Sequence, residues 1–151
     1  IRGSAAGIES GCSNAACGAD EALVITTPEV PAVRDADSII GLLESMGKSP
    51  IRLVINRLRG RLVREGEMLD VRDVLDILAI DLVGIVPEDE SVVKSANRGE
   101  PLTFGDSAPA AHAFQRIASR ILGETVPFPD FSEEQGKGFL AGIRKFFGRK
   151  E

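Results

Sequence analysis

The sequence has no tryptophan and no tyrosine, one histidine and two cysteines in 151 residues. A lone histidine limits the chemistry. His112 has Gln115, Arg116 and Ser119 as its neighbours at helical spacing, which form neither a Ser–His–Asp relay nor a metal cluster, so it reads as a surface residue. Cys12 and Cys17 stand five apart, which is not a zinc spacing, and no second pair accompanies them. They read as two reduced thiols of an intracellular protein. No apolar run approaches the ~18–20 residues that span a bilayer, and no secretory signal opens the sequence. A phosphate-binding loop of the form G-x-x-x-x-G-K-[ST] is also missing. Gly47-Lys48-Ser49 supplies its end, but Leu42 stands where the first glycine is required. This GKS follows a helical pattern and precedes a strand pattern, so it reads as the end of a helix.

What is present describes one globular domain with an unusual tail. Apolar residues make up 43% and charged residues 27% of the chain. The net charge of -5 is unevenly spread. Residues 136–151 hold five basic side chains and one acid, a net of +4, so the rest of the chain carries -9. An acidic body with a basic end predicts that only the end seeks polyanions, with no nucleic-acid surface on the body.

Three short apolar runs read as strands: 23–27 (LVITT), 51–55 (IRLVI) and 82–86 (LVGIV). They are nearly continuous rather than alternating, the pattern of a parallel sheet covered on both faces. Helical patterns separate them. Val33, Ala36, Ile40 and Leu43 form one stripe with Gly47 as its stop, and Val71, Val74, Leu75 and Leu78 form another with Asp70 as N-cap. A third pattern over 108–122 places Phe114, Ile117, Ala118 and Ile121 on one face, with Ser107 as cap and Gly123 as stop. Alternating strands and helices predict an α/β fold, a parallel sheet flanked by helices. Three strands are few for this class, and a small-residue stretch at 3–11 precedes them, so the chain is expected to be a fragment lacking an N-terminal half.

The predicted division is an α/β body over 1–123, a linker over 124–135 with two prolines and four acids, and an amphipathic helix over 136–151. In the last of these, Phe139, Leu140, Ile143, Phe146 and Phe147 stand at i, i+1, i+4, i+7 and i+8, one apolar stripe. Lys137, Arg144, Lys145, Arg149 and Lys150 supply the basic charge beside it. Apolar side chains opposite basic ones describe a helix lying on an anionic membrane surface. The alternative is a helix that docks on the body. Each apolar side chain gains about 1.5–3 kcal/mol at full burial, against about 1–2 kcal/mol per residue to order a free chain. One tail is therefore expected to bind weakly, and two tails on a dimer far more tightly.

Several stretches together resemble the MinD cell-division ATPases of the deviant-Walker P-loop class. They are residues 6–9 (AGIE), 25–37 (ITTPEVPAVRDAD), 54–57 (VINR), 82–89 (LVGIVPED), 91–101 (SVVKSANRGEP) and the terminal KGFL…FFG. The resemblance covers the C-terminal half of such a protein. It implies a P-loop NTPase fold, binding of ATP with Mg2+, ATP-dependent homodimerisation and reversible attachment to the inner face of the plasma membrane. It also implies a MinC-like inhibitor and a MinE-like activator as partners. By resemblance, Asn56, Arg57, Pro87, Glu88 and Asp89 surround the base of the nucleotide, and Ala6, Gly7, Ile8 and Glu9 belong to a switch region. Asp35 and Asp37 bear on partner binding, and the terminal helix holds the membrane residues named above.

Read by themselves, Glu88, Asp89 and Glu90 are acids of a first helical turn, and Asp35 and Asp37 are solvated helix charges. Gly3 and Ala5 stand where the family has Asp and Pro, and the phosphate loop is absent, so this chain alone is expected not to hydrolyse ATP. Two other functions fit the same features. One is a related superfamily ATPase for flagellar placement or plasmid partition. The other is a non-enzymatic membrane-binding module.

Overall fold

A computed structural model describes residue 3 and residues 16–102 and 107–128. Three parallel strands form its sheet in the order β1-β2-β3: β1 (Ala22–Thr26), β2 (Ile51–Leu58) and β3 (Asp81–Pro87). Among the described residues these helices accompany them: α1 (Val30–Ser45), α2 (Gly60–Arg64), α3 (Val71–Leu78), α4 (Glu90–Arg98) and α5 (Pro109–Ile121). The parallel sheet flanked by helices agrees with the sequence pattern. No helix among the described residues is long and apolar enough to cross a membrane.

Local signals account for α1 and α3. Proline in the first turn of α1 costs no hydrogen bond, because that N–H has no helical partner. At its other end Gly47 takes φ +70, its N–H donates to the Glu44 carbonyl, and the Lys48 N–H reaches back to Leu43. That paired closure is a Schellman stop, so the GKS segment is a helix terminus. In α3, Asp70 accepts from the Asp73 amide at 2.7 Å while Asp73 accepts from the Asp70 amide at 3.2 Å, a capping box.

The predicted stripes of both helices are buried: Val33, Ala36, Ile40 and Leu43 of α1, and Val71, Val74, Leu75 and Leu78 of α3. They share a core with Val24, Leu53, Ile55, Leu82 and Ile85 on one face of the sheet. The opposite face carries a smaller core of Val54, Val83 and Val86 beneath Ala110, Ala113 and Ile117 of α5.

Two expectations need correction. Of the predicted α5 stripe only Ile117 is buried. Phe114 and Ile121 are about half exposed and Ala118 is exposed, whereas Ala110, Ala111, Ala113 and Ile117 are buried. The reason is proximity, since α5 lies so close to β3 that a β-carbon at Gly84 would fall inside the Ile117 side chain. Methyl groups fit that gap and a phenyl ring does not. Ser107 is likewise not the cap of α5. Ala108 holds the cap position without a side-chain bond. Among the described residues α5 packs on β3, and Leu23 and Ile25 of β1 are 41% and 61% exposed.

Candidate functional site at the carboxyl edge of the sheet

Parallel strands deliver all their carboxyl ends to one edge, where ligands of open α/β sheets bind. Here that edge gathers Thr26, Asn56, Arg57, Pro87, Glu88 and Asp89 from three strands whose sequence positions are about thirty residues apart. The five residues expected by resemblance to surround a base are therefore brought together, in two groups facing different ways.

The first group is an arginine–glutamate clamp. Arg57 Nη2 donates to Glu88 Oε1 at 3.0 Å, and Arg59 Nε donates to Glu88 Oε2. Each arginine thus takes one oxygen of the same carboxylate, and the Glu88 backbone N–H donates to the Leu58 carbonyl at 3.0 Å. The hydrogen bond from Arg59 is the largest cause that holds the Glu88 carboxyl down, to about 2, with Arg57 adding to it and burial opposing. Glu88 in turn raises Arg59. All three side chains keep substantial contact with water, at 59%, 45% and 32% exposure for Arg57, Arg59 and Glu88, so the clamp orders the edge more than it stabilises the fold.

Arg57 adopts φ +58, a left-handed conformation uncommon outside glycine, and its N–H donates to Asn56 Oδ1 at 3.0 Å. That bond fixes the Asn56 amide with its oxygen turned to the Arg57 backbone. Asn56 is half-buried, and its amide nitrogen has no acceptor among the described residues.

The second group centres on Asp89, whose side chain turns away from the clamp. Its Oδ1 accepts from the Ser91 N–H at 2.9 Å and the Ser91 hydroxyl at 2.6 Å, capping α4. Its Oδ2 accepts from the Ala110 N–H at 3.1 Å, in the first turn of α5. One carboxylate therefore joins the N-termini of two helices. The hydrogen bond from Ser91, then that from Ala110, lower its pKa. This explains why α5 needs no cap of its own.

The fit to a nucleotide is partial. A fixed amide with an open donor at the carboxyl edge, beside a guanidinium, suits the base end of the ligand. Among the described residues no group of three His, Cys, Asp or Glu side chains comes together to hold a metal ion.

The other sequence candidates lie elsewhere. Asp35 and Asp37 are exposed on α1. His112 is exposed on α5, and Cys17 is a free, exposed thiol. Ala6, Gly7, Ile8 and Glu9, and the tail residues Lys137, Phe139, Leu140, Ile143, Arg144, Lys145, Phe146 and Phe147, fall outside the described residues. Sequence reasoning missed Arg59 as the second holder of Glu88. The available signal was its spacing, two positions beyond Arg57 at the end of a strand.

Comparison with known proteins gives a consistent picture. Residues 4–102 match the model of the CobQ/CobB/MinD/ParA nucleotide binding domain. The chain is 51% identical over 144 residues to the septum site-determining protein MinD of Bacillus subtilis (strain 168), an alignment that takes in 95% of this chain and 53% of that protein. Among solved structures, the MinD cell division protein of Aquifex aeolicus superposes with a TM-score of 0.77 at 43% identity, covering 82% of this chain and 52% of the other. The MinC:MinD cell division protein complex of the same organism matches with the same TM-score and identity, covering 82% of this chain and 51% of that one. The chain spans about half the length of the curated relatives it matches.

Proposed function

Because the chain belongs to the CobQ/CobB/MinD/ParA nucleotide-binding domain family, we propose that it is the C-terminal portion of a MinD-like ATPase that places the division site. The observation that carries this reading is the carboxyl-edge cluster of Asn56, Arg57, Pro87, Glu88 and Asp89 in a chain whose last residues pair a phenylalanine stripe with basic charge. Asn56 and Arg57 bind the base side of ATP. Glu88 keeps Arg57 and Arg59 in place, and Asp89 fastens the helices behind them. ATP, when bound, supplies the energy of joining two subunits.

Joining two subunits presents two tails to one membrane. Lys137, Arg144 and Lys145 attract anionic lipid while Phe139, Leu140, Ile143, Phe146 and Phe147 enter the acyl boundary. The attachment is weak for one tail and firm for two, so loss of the dimer releases the protein. The exposed acids Asp35 and Asp37 on α1 serve a MinC-like inhibitor, and residues 6–9 form the switch on which a MinE-like activator acts.

Co-sedimentation with vesicles containing phosphatidylglycerol tests the tail. The 151-residue chain should pellet with these vesicles and not with phosphatidylcholine vesicles, and Phe146→Glu should lower the bound fraction severalfold. Equal binding by the two proteins discards the membrane reading, and binding to duplex DNA in its place favours a plasmid-partition relative.

A further inference from the structure

At the end of α5 remote from Asp89, the chain passes from one face of the sheet to the other. α5 belongs to the face with Val54, Val83 and Val86. Phe128, seven residues beyond the helix, packs partly buried against the core of the opposite face. The turn starts at Gly123, with φ +90, where the Gly123 N–H donates to Arg120 and the Glu124 N–H to Ser119, a second Schellman stop. Residues 124–128 then run without regular structure around the outer edge of β3.

One side chain holds that crossing. Arg120 Nη1 donates to the Val83 carbonyl at 2.7 Å, Nε to the Val126 carbonyl at 3.0 Å and Nη2 to the Pro127 carbonyl at 2.9 Å. The guanidinium carbon also lies 3.9 Å from the centre of the Phe128 ring. Each contact has a cause in the fold. Val83 is skipped in the register, because Leu53 pairs with Leu82 and Val54 with Gly84, so its buried carbonyl needs an acceptor's partner from elsewhere. Arg120 stands three residues beyond Ile117, on the helix face that Gly84 draws against the strand. A planar fork with five N–H donors serves three carbonyls in three directions, which a lysine ammonium on a flexible stem does not.

We propose that Arg120 is a clasp that fixes where the C-terminal segment leaves the domain. It commits residues 124–128 to the body, so that only residues 129–135 separate the body from the tail. It also sets the departure point at the amino-terminal end of β3, about 20 Å along α5 from the Asp89 end. The segment beyond residue 128 thus starts at the opposite end of the strands from the carboxyl-edge site. This second half rests on the membrane reading above.

The chain contains no tryptophan, so Phe128→Trp creates a single fluorescent reporter that keeps the cation–ring contact. In that background, Arg120→Ala should raise the acrylamide quenching constant at least twofold while the far-ultraviolet dichroism and the urea midpoint of the helices stay in the folded range. Arg120→Lys, which keeps the charge and perturbs packing less, should give the same release. Unchanged quenching in both variants overturns the clasp, as does a rise in quenching that merely tracks loss of helix in both.

The positional half is read on phosphatidylglycerol vesicles doped with dansyl lipid. Energy transfer from the introduced tryptophan should rise at least 1.5-fold when Arg120→Ala frees the segment to approach the surface. Equal transfer overturns the fixed point of departure. Failure of the unmutated chain to bind these vesicles removes the membrane reading and the positional half with it, while the quenching assay decides the clasp on its own.

Discussion

Gly84 and Ile117 share one space: a β-carbon on Gly84 would stand 2.1 Å from Ile117 Cγ1 and 2.6 Å from Cδ1. The absence of a side chain in the middle of β3 is what lets α5 lie against the sheet, with the buried alanines of its face following from the same closeness. Gly84→Ala should therefore destabilise the domain by about 1–3 kcal/mol, the usual cost of overpacking. Ile117→Ala should recover part of that loss in the double variant, although it is itself destabilising. Urea unfolding of the four proteins measures the coupling, and additive losses would contradict the shared space.

Asp89 supports two helices at once. Asp89→Ala removes the cap of α4, about 1 kcal/mol, and leaves the buried Ala110 N–H without its acceptor, about 1–3 kcal/mol more. A combined loss of about 2–4 kcal/mol is expected, with Asp89→Asn costing less because its amide oxygen still accepts one bond. Hydrogen exchange should show α4 and α5 opening together in Asp89→Ala. Loosening of α4 alone would show that the Ala110 bond does not couple them.

Glu88 makes the edge sensitive to acid. Its folded pKa is depressed to about 2, chiefly by the hydrogen bond from Arg59, below the ordinary glutamate value of about 4.3. The contribution is fully present above the unfolded pKa and is lost as pH falls from about 5 toward 2. Because the partners are largely solvent-exposed, the effect is about 0–1 kcal/mol. The difference in urea midpoint between the unmutated protein and Glu88→Gln should shrink over that window and be flat above pH 6. A constant difference down to pH 2 would remove the clamp as its cause.

Ala79 closes α3 with φ +51 and is exposed. A β-carbon disfavours that left-handed conformation, so Ala79→Gly should stabilise the domain by up to about 1 kcal/mol, read as a higher thermal midpoint. A lower midpoint would mean that the added freedom of the unfolded chain outweighs the relieved strain.

Much of this architecture is legible without coordinates, and the legible parts have one property in common. The buried faces of α1 and α3, the Asp70 cap and the stops at Gly47 and Gly123 each depend on residues within a few positions of one another. The arrival of Asn56, Arg57, Glu88 and Asp89 at one edge follows from parallel strands, which bring successive carboxyl ends together. Gly84 carried a readable signal as well, since an isolated glycine inside a strand marks a close approach.

The features that stayed hidden are set by distance in sequence. Arg59 meets Glu88 across 29 residues, Asp89 meets Ala110 across 21, and Arg120 meets Val83 across 37. Helical spacing grouped Phe114, Ala118 and Ile121 with Ile117 on one face of α5, but the gap above Gly84 admits only methyl groups and Ile117. Sequence determined which segments become helix and strand, which faces of α1 and α3 turn inward and which residues reach the carboxyl edge, because hydrogen bonding and side-chain periodicity act locally. Tertiary structure alone decided the partners of Glu88, Asp89 and Arg120, because a skipped residue in the β2–β3 register and the depth at which α5 docks exist only once the layers have packed.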